Sequence, residues 1–191
     1  MSTDNNQAEG SLGLYARWWH RLTNSEFCQA SKWPPLPTAH KAILKRCHNL
    51  DEVMLSEPFQ ALWQMMPEEK QSASRMEVAA LITWVLASVR KDSKESLATN
   101  MARKAGEGSE RPRVSTLRFQ QLIKSRDIEE FARRLRRVVQ QVDGTVSVQA
   151  LAREVENWYW QHRSSQPSIE PAKRQVLKWA MEYYAVAPKA S

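Results

Sequence analysis

The chain has few of the residues on which disulfide frameworks, glycine-rich loops and membrane spans depend. Its 191 residues include two cysteines and five glycines. Cys28 and Cys47 are too few for a disulfide framework in a core-rich chain, so we expect reduced thiols and a cytoplasmic protein. Asp4 and Glu9 lie in a polar beginning that is unlike a signal peptide. The longest apolar stretch, residues 78–89, is shorter than the ~20 residues that a membrane span needs.

Residues able to carry metal or covalent chemistry are equally scarce. The potential soft ligands that cluster in the sequence are Cys28, His40, Cys47 and His48. Their spacing matches no zinc finger or ribbon. Gly106 and Gly108 lack the Gly-Lys-Ser/Thr that completes a phosphate-binding loop, and no Gly-x-Ser-x-Gly nucleophile motif is present. The sequence therefore predicts no metal, no cofactor and no catalytic residue, and we expect the protein not to be an enzyme.

Positive charge is abundant, and it is concentrated in one segment. The formal net charge of the chain is +7, and residues 103–137 hold eleven basic residues against five acidic ones, a local charge of +6. These basic residues are Arg103, Lys104, Arg111, Arg113, Arg118, Lys124, Arg126, Arg133, Arg134, Arg136 and Arg137. Such an asymmetry favours nucleic acid, an anionic membrane surface or an acidic protein as partner.

Apolar residues recur at helical spacing through most of the chain, without the alternation typical of strands. Capping residues predict the beginnings of several helices: Thr38, Ser74 with Glu77, Ser115, and Asp127 with Glu130. Gly106 and Gly144 are predicted to end helices, because glycine adopts the left-handed conformation readily. The sequence therefore predicts an all-α fold.

One segment is predicted to divide this fold into two small helical bundles. Residues 106–112 combine two glycines and a proline with no large apolar residue, which is typical of a linker. It would separate an N-terminal helical domain, residues 12–105, from a C-terminal helical domain, residues 113–191. Residues 1–11 are polar and predicted to be a disordered tail. The expected fold is two bundles joined by a Gly/Pro-containing linker.

The arginines of residues 127–142 have two interpretations. On a helical wheel Arg133 and Arg137 lie nearly opposite the apolar face. Arg134 and Arg136 flank that face. This is typical of the solvated side of an amphipathic helix. The alternative is phosphate binding, because several cations on consecutive helices give sequence-independent, salt-sensitive affinity for nucleic acid. A reader of specific DNA sequences is less favoured, since residues 128–139 contain no Asn or Gln for base edges.

Several motifs, taken in order, resemble one protein family. In the first half they are Leu-Tyr-Ala-Arg-Trp-Trp at 14–19, Ala-Ile-Leu-Lys-Arg-Cys at 42–47 and Pro-Phe-Gln-Ala-Leu at 58–62. In the second half they are Arg-Phe-Gln-Gln-Leu-Ile at 118–123 and Leu-Arg-Arg-Val-Val at 135–139. Across roughly residues 12 to 187 the chain resembles CasB, the small subunit of the type I-E CRISPR surveillance complex Cascade.

The resemblance implies an all-helical, non-catalytic protein that binds nucleic acid without sequence preference. Members of the family lie as a pair beside the large subunit and the backbone subunits that hold guide RNA. Their basic surface helps to stabilise the R-loop and its displaced DNA strand. The basic positions that match the family pattern are Lys45, Arg46, Arg75, Arg118, Lys124, Arg126, Arg137 and Arg163.

Two other functions are also consistent with the residues. A helical scaffold would direct its arginines at acidic protein partners, and a sequence-specific regulator would prefer one DNA site over random competitor. Measuring the affinity for DNA across a salt series distinguishes nucleic-acid binding from the scaffold function, because only phosphate binding weakens steeply with salt.

Overall fold

The computed structural model describes residues 13–23, 25–31, 33–165 and 170–188, apart from the side chain of Phe27. The tail predicted at residues 1–11 lies outside these residues. The described residues belong to two compact units, which separate after Ala87.

The first unit is built around one buried helix. Its helices are α1 (Leu14–Thr23), α2 (Glu26–Ala30), α3 (Ala39–Arg46), α4 (Leu50–Met54), α5 (Glu57–Met65) and α6 (Ala73–Leu86), with a 3₁₀ helix at Glu68–Lys70. Every residue from 78 to 86 is buried, because α6 is apolar on all sides and α1, α3, α4 and α5 pack around it. Thr83 satisfies its hydroxyl inside this core by donating to the carbonyl of Ala79 at 2.7 Å.

The second unit combines five helices with a very short sheet. Its elements are β1 (Lys91–Asp92), α7 (Leu97–Ala102), α8 (Thr116–Ile123), α9 (Ile128–Gln141), β2 (Thr145–Val146), α10 (Val148–Arg163) and α11 (Gln175–Val186), with a 3₁₀ helix at Pro171–Lys173. The strands pair in parallel, with Lys91 opposite Thr145 and Asp92 opposite Val146. Since this is the one sheet in the described residues, the predicted all-α class is confirmed.

Parallel aromatic rings fill the core of the second unit. The Phe131 ring of α9 stacks on Trp158 of α10 with centroids 3.5 Å apart, and lies 6.1 Å from the nearly parallel Trp179 ring of α11. Phe119 of α8 stacks on Tyr183 at 4.2 Å. These side chains are almost completely buried, and large buried aromatics contribute much of the stability of a small core.

The helix beginnings agree with the sequence in some places and differ in others. Ser115 and Asp127 are confirmed as caps, because their side chains accept hydrogen bonds from the amides of Arg118 and Glu130. The capping box predicted at Ser74 is wrong: the N-cap of α6 lies two residues earlier, at Ser72, whose side chain accepts a hydrogen bond from the amide of Arg75. Thr38 precedes α3 as predicted, but within the described chain its side chain makes no capping bond.

The predicted linker is a folded-back loop inside the second unit. Helix α7 ends at Ala102 and not at Gly106, because the following backbone bonds to a later segment. The amide of Arg113 donates to the carbonyl of Arg103 at 2.7 Å, and that of Ala105 donates to Arg111 at 2.9 Å. The compact units divide after Ala87, and residues 106–112 lie within the second unit. The domain bounds given from the sequence stay a prediction.

Candidate nucleic-acid interface

A cleft between α8 and α9 gathers several of the basic residues. We call it the cationic cleft; its volume is about 560 Å³. Its lining residues are Arg118 and Gln121 of α8 and Arg134, Arg137, Val138, Gln140 and Gln141 of α9. Apart from Val138, every one of these side chains is a guanidinium or an amide. The cleft therefore offers hydrogen-bond donors and positive charge.

The local sequence explains why these side chains meet. The caps Ser115 and Asp127 start two consecutive helices, and the short junction between α8 and α9 brings them side by side. Helix α9 buries Phe131, Leu135 and Val139 on one face. Residues three and four apart share a helix face, so Arg134 and Arg137 are presented to the same side.

Some arginines of α9 are held by carboxylates. Arg133 pairs with Glu129 at 3.2 Å, and Arg134 pairs with Glu130 at 2.7 Å. Arg134 also donates from Nη1 to the backbone carbonyl of Gln121. Its guanidinium therefore links α9 to α8, and we assign it a structural role in shaping the cleft.

Arg118 and Arg137 differ from these paired residues. Both side chains are exposed, and neither forms an ion pair with any described residue. An exposed guanidinium without a carboxylate partner keeps its five donors for another anion. Two such guanidiniums, one from α8 and one from α9, therefore line the same cleft.

The other predicted positions of the second unit lie outside the lining of this cleft. Lys124 ends α8, and Arg126 lies in the junction before Asp127; both side chains are exposed. The backbone amide of Arg126 donates to Glu130 Oε2 at 2.7 Å. Arg163 is the last residue of α10, and its guanidinium carbon lies 5.8 Å from the centre of the Tyr159 ring.

Three predicted positions belong to the first compact unit. Lys45 and Arg46 are exposed in the last turn of α3, and Arg75 is partly exposed in the first turn of α6. Cations at the end of α3 also stabilise the negative end of its helix dipole. Only Arg118 and Arg137 of the predicted set line the cationic cleft.

Five lining residues are absent from the predicted set of site residues. They are Gln121, Arg134, Val138, Gln140 and Gln141. The basic helices α8 and α9 each contain a Gln pair, at 120–121 and 140–141, and these pairs are the signal that the sequence offers. Amide side chains next to arginines commonly contact phosphate and sugar oxygens in nucleic-acid sites.

The possible soft ligands of the first unit are engaged in local contacts. The Cys28 thiol donates to the carbonyl of Trp33 at 3.0 Å, and burial raises its pKa above the ordinary value. His40 Nε2 lies 3.3 Å from Glu57 Oε2, and Cys47 donates to the carbonyl of Ile43 at 3.4 Å. Within the described ranges, no three His, Cys, Asp or Glu side chains come close enough to bind one metal ion.

Among the described residues, no helix combines the length and the apolar character that crossing a bilayer requires.

The structure is therefore that of an all-α protein whose cationic cleft lies between two consecutive helices, α8 and α9. Residues 40–184 match the family model described as CRISPR-associated protein Cse2. This match covers more than half of the chain, so the chain belongs to that family, the CasB small subunits of the type I-E CRISPR complex Cascade. The predicted resemblance is therefore confirmed, and the family makes the chain a structural subunit of Cascade that associates with other subunits. The comparisons found no match to a curated protein or to a solved structure.

Proposed function

We propose that this protein is a non-catalytic nucleic-acid-binding subunit of a type I-E CRISPR effector, which stabilises the R-loop and the displaced DNA strand through a sequence-independent basic surface. One observation carries the proposal. Arg118 and Arg137 line the cationic cleft with exposed guanidiniums that form no ion pair with a described residue. Two such groups in a chain with net charge +7 are suited to a polyanion.

Phosphate binding of this kind needs no base contact. Arginine forks match phosphate oxygens in pairs, and each neutralised phosphate releases condensed counterions. The amides of Gln121, Gln140 and Gln141 add donors for phosphate or sugar oxygens. R-loop formation exchanges one duplex for another of similar stability, so modest backbone contacts are sufficient to shift the balance.

Each unit also carries further predicted cations, which we propose as additional nucleic-acid contacts. In the second unit they are Lys124, Arg126 and Arg163; in the first unit they are Lys45, Arg46 and Arg75. The partners in this proposal are the displaced strand and guide RNA, the large and backbone subunits, and a second copy of the chain, all in the cytoplasm.

A double variant of the cleft tests the proposal. In the full chain, Arg118→Ala with Arg137→Ala removes both unpaired guanidiniums, so we expect about tenfold weaker binding of single-stranded DNA near 0.1 M salt. The slope of log affinity against log salt should also fall by about 1.4, because two phosphate contacts are lost. Fluorescence anisotropy with a labelled oligonucleotide measures both quantities.

The matched control is Arg153→Ala with Lys178→Ala. It removes the same charge from exposed positions of the second unit that do not line the cleft. If the two double variants lose affinity and salt slope equally, the cleft has no special role and the proposal is wrong.

A protein-scaffold function has one observation in its favour. Leu117 of α8 and Met181 and Tyr184 of α11 are large, apolar and well exposed, and the Tyr184 hydroxyl lies 3.4 Å from the Gln120 amide nitrogen. Such a patch is typical of a protein contact. If the chain binds other Cascade subunits while its affinity for DNA does not depend on salt, the result supports the scaffold function and not the nucleic-acid-binding function.

A further inference from the structure

A second cavity lies at the other end of α8, where aromatic and basic residues meet. Its volume is about 210 Å³, and Ser125, Trp158, His162 and Arg174 are among the residues that line it. We call it the aromatic pocket. All of these residues belong to the second compact unit, and they come from the α8–α9 junction, α10 and the segment before α11. The pocket shares no lining residue with the cationic cleft.

His162 forms the outer end of a column of parallel rings. Its imidazole stacks on Trp158 with centroids 4.7 Å apart and an angle of 11° between the planes. Trp158 stacks on Phe131 at 3.5 Å and 3°, and Phe131 lies beside Trp179 at 6.1 Å and 13°. Trp179 is fully buried and anchored by a 3.0 Å hydrogen bond from its indole nitrogen to Glu154. The column is therefore fixed at its inner end, while His162 is exposed.

Two polar side chains that line the pocket are hydrogen-bonded to backbone groups of the protein itself. Gln161 donates from its amide nitrogen to the carbonyl of Lys173 at 2.9 Å, and its amide oxygen accepts from the backbone amide of Gln175 at 2.7 Å. Ser125 donates its hydroxyl to the carbonyl of Leu122 at 2.7 Å. Because these donors are used, the pocket offers stacking surface and little means of reading base edges.

One cation lines this pocket, and three others are chain neighbours of its lining residues. Lys124 and Arg126 flank Ser125 in the chain, Arg163 follows His162, and Arg174 lines the pocket itself. Three of these four residues are among the positions singled out from the sequence for nucleic-acid binding. A planar group next to several cations matches an aromatic ring that carries phosphate.

We propose that the aromatic pocket receives one unpaired nucleobase of single-stranded nucleic acid, which stacks on His162 and extends the column of rings. The inference rests on the proposed function and adds a stacking contact with a base to the proposed contacts with phosphates. Stacking requires a base that is free of its partner strand, so the pocket selects single strands over duplex. It tolerates any sequence, because every base has an aromatic face.

The test compares two oligonucleotides of equal length, an oligothymidylate and an abasic strand with the same phosphates. With the full chain we expect the oligothymidylate to bind more tightly, by about fivefold or more, since that is the usual contribution of one stacked base. His162→Ala should abolish this preference and leave the abasic affinity unchanged. His162→Phe should restore it, because phenylalanine keeps the ring without the imidazole's capacity for charge.

The outcomes separate the two proposals. If His162→Ala keeps the wild-type preference, or lowers the affinity for both strands equally, the stacking site is wrong. A His162→Phe variant that binds as His162→Ala does would also overturn it, provided that circular dichroism shows both variants folded. In each of these cases, a loss of affinity on removing Arg118 and Arg137 still supports the proposed function. If the wild-type chain binds neither strand, both proposals fail.

Discussion

Gly144 occupies a turn that only glycine fits well. Its φ angle is +67°, and a Cβ atom there would lie 2.9 Å from the backbone nitrogen of Arg90. The backbone cannot retreat easily, because the amides of Arg90 and Lys91 both donate to the Gly144 carbonyl, at 2.8 and 3.1 Å. Gly144→Ala should therefore lower the free energy of unfolding by about 2–4 kcal/mol, measured by urea denaturation.

Gly106 provides the matched control for that substitution. An added Cβ at Gly106 meets no atom within 4 Å, and its φ lies outside the left-handed region. Gly106→Ala should change the free energy of unfolding by no more than about 0.5 kcal/mol. Equal effects of the two substitutions would contradict the close approach of Arg90 to the turn.

Glu154 is a carboxyl group whose burial should make stability depend on pH. Its pKa is raised to about 7, mainly by desolvation and also by the charge of Glu182, whereas the hydrogen bond from Trp179 and the charges of Arg153 and Lys178 oppose the rise. The ordinary value of 4.5 applies to the unfolded chain. Between these values the folded state binds more protons, so its stability decreases as pH rises from about 4.5 to 7.

Glu154→Gln should remove this part of the pH dependence. Glutamine is neutral and still accepts the hydrogen bond from Trp179, so the variant should be more stable than wild type by about 1–3 kcal/mol at pH 8. At pH 5 the two proteins should be similar. Urea denaturation at both pH values measures the difference, and an equal pH slope in both proteins would contradict it.

At the scale of one element, helix α9 depends on its N-cap residue, Asp127. Asp127 accepts the amide of Glu130 at 2.7 Å, while Glu130 accepts the amide of Arg126 and pairs with Arg134. Asp127→Ala leaves amides of the first turn without a partner and should cost about 1 kcal/mol of unfolding free energy. Hydrogen exchange of the amides of residues 128–131 should accelerate with it.

Thr38→Ala is the comparison for that cap. Thr38 stands before α3 without a side-chain capping bond in the described chain, so its loss should cost clearly less than the loss of Asp127. If Thr38→Ala is as costly as Asp127→Ala, the capping bond is not the source of the effect.

Local chemistry explains which elements the sequence predicts correctly. Ser115 and Asp127 each bond to an amide three residues on, a contact that depends on nothing distant. At the start of α6, Ser72 and Ser74 are both suitable caps, and the Glu77 pattern favoured the wrong one. The end of α7 is not predictable in this way, since Arg103 bonds to Arg113 across a loop. The pairing of β1 with β2 is likewise set by residues far apart in the chain.

The candidate sites of the whole molecule are predicted only in part for the same reason. Charge clustering gathers eleven basic residues between 103 and 137, with Arg118 and Arg137 among them, and the structure places these two in one cleft. Their binding of nucleic acid remains a prediction. The sequence does not separate them from Arg133 and Arg134, because ion pairing with Glu129 and Glu130 depends on rotamers and on neighbouring helices. The stack of His162 on Trp158 follows an i, i+4 spacing, but the pocket beside it needs α8 and the segment before α11.

The assembled complex provides the final prediction. Arg118, Arg126 and Arg137 have exposed side chains in the second unit, and none pairs with an acidic group among the described residues. Changing all three to alanine in reconstituted type I-E Cascade should leave assembly intact but expose the displaced DNA strand, because phosphate contacts that hold it are lost. Digestion of that strand by a single-strand-specific nuclease should accelerate severalfold.

The control triple, Lys94→Ala with Arg153→Ala and Lys178→Ala, removes equal charge from other exposed positions and should leave the digestion rate unchanged. Equal protection by both triples would show that the strand is held elsewhere.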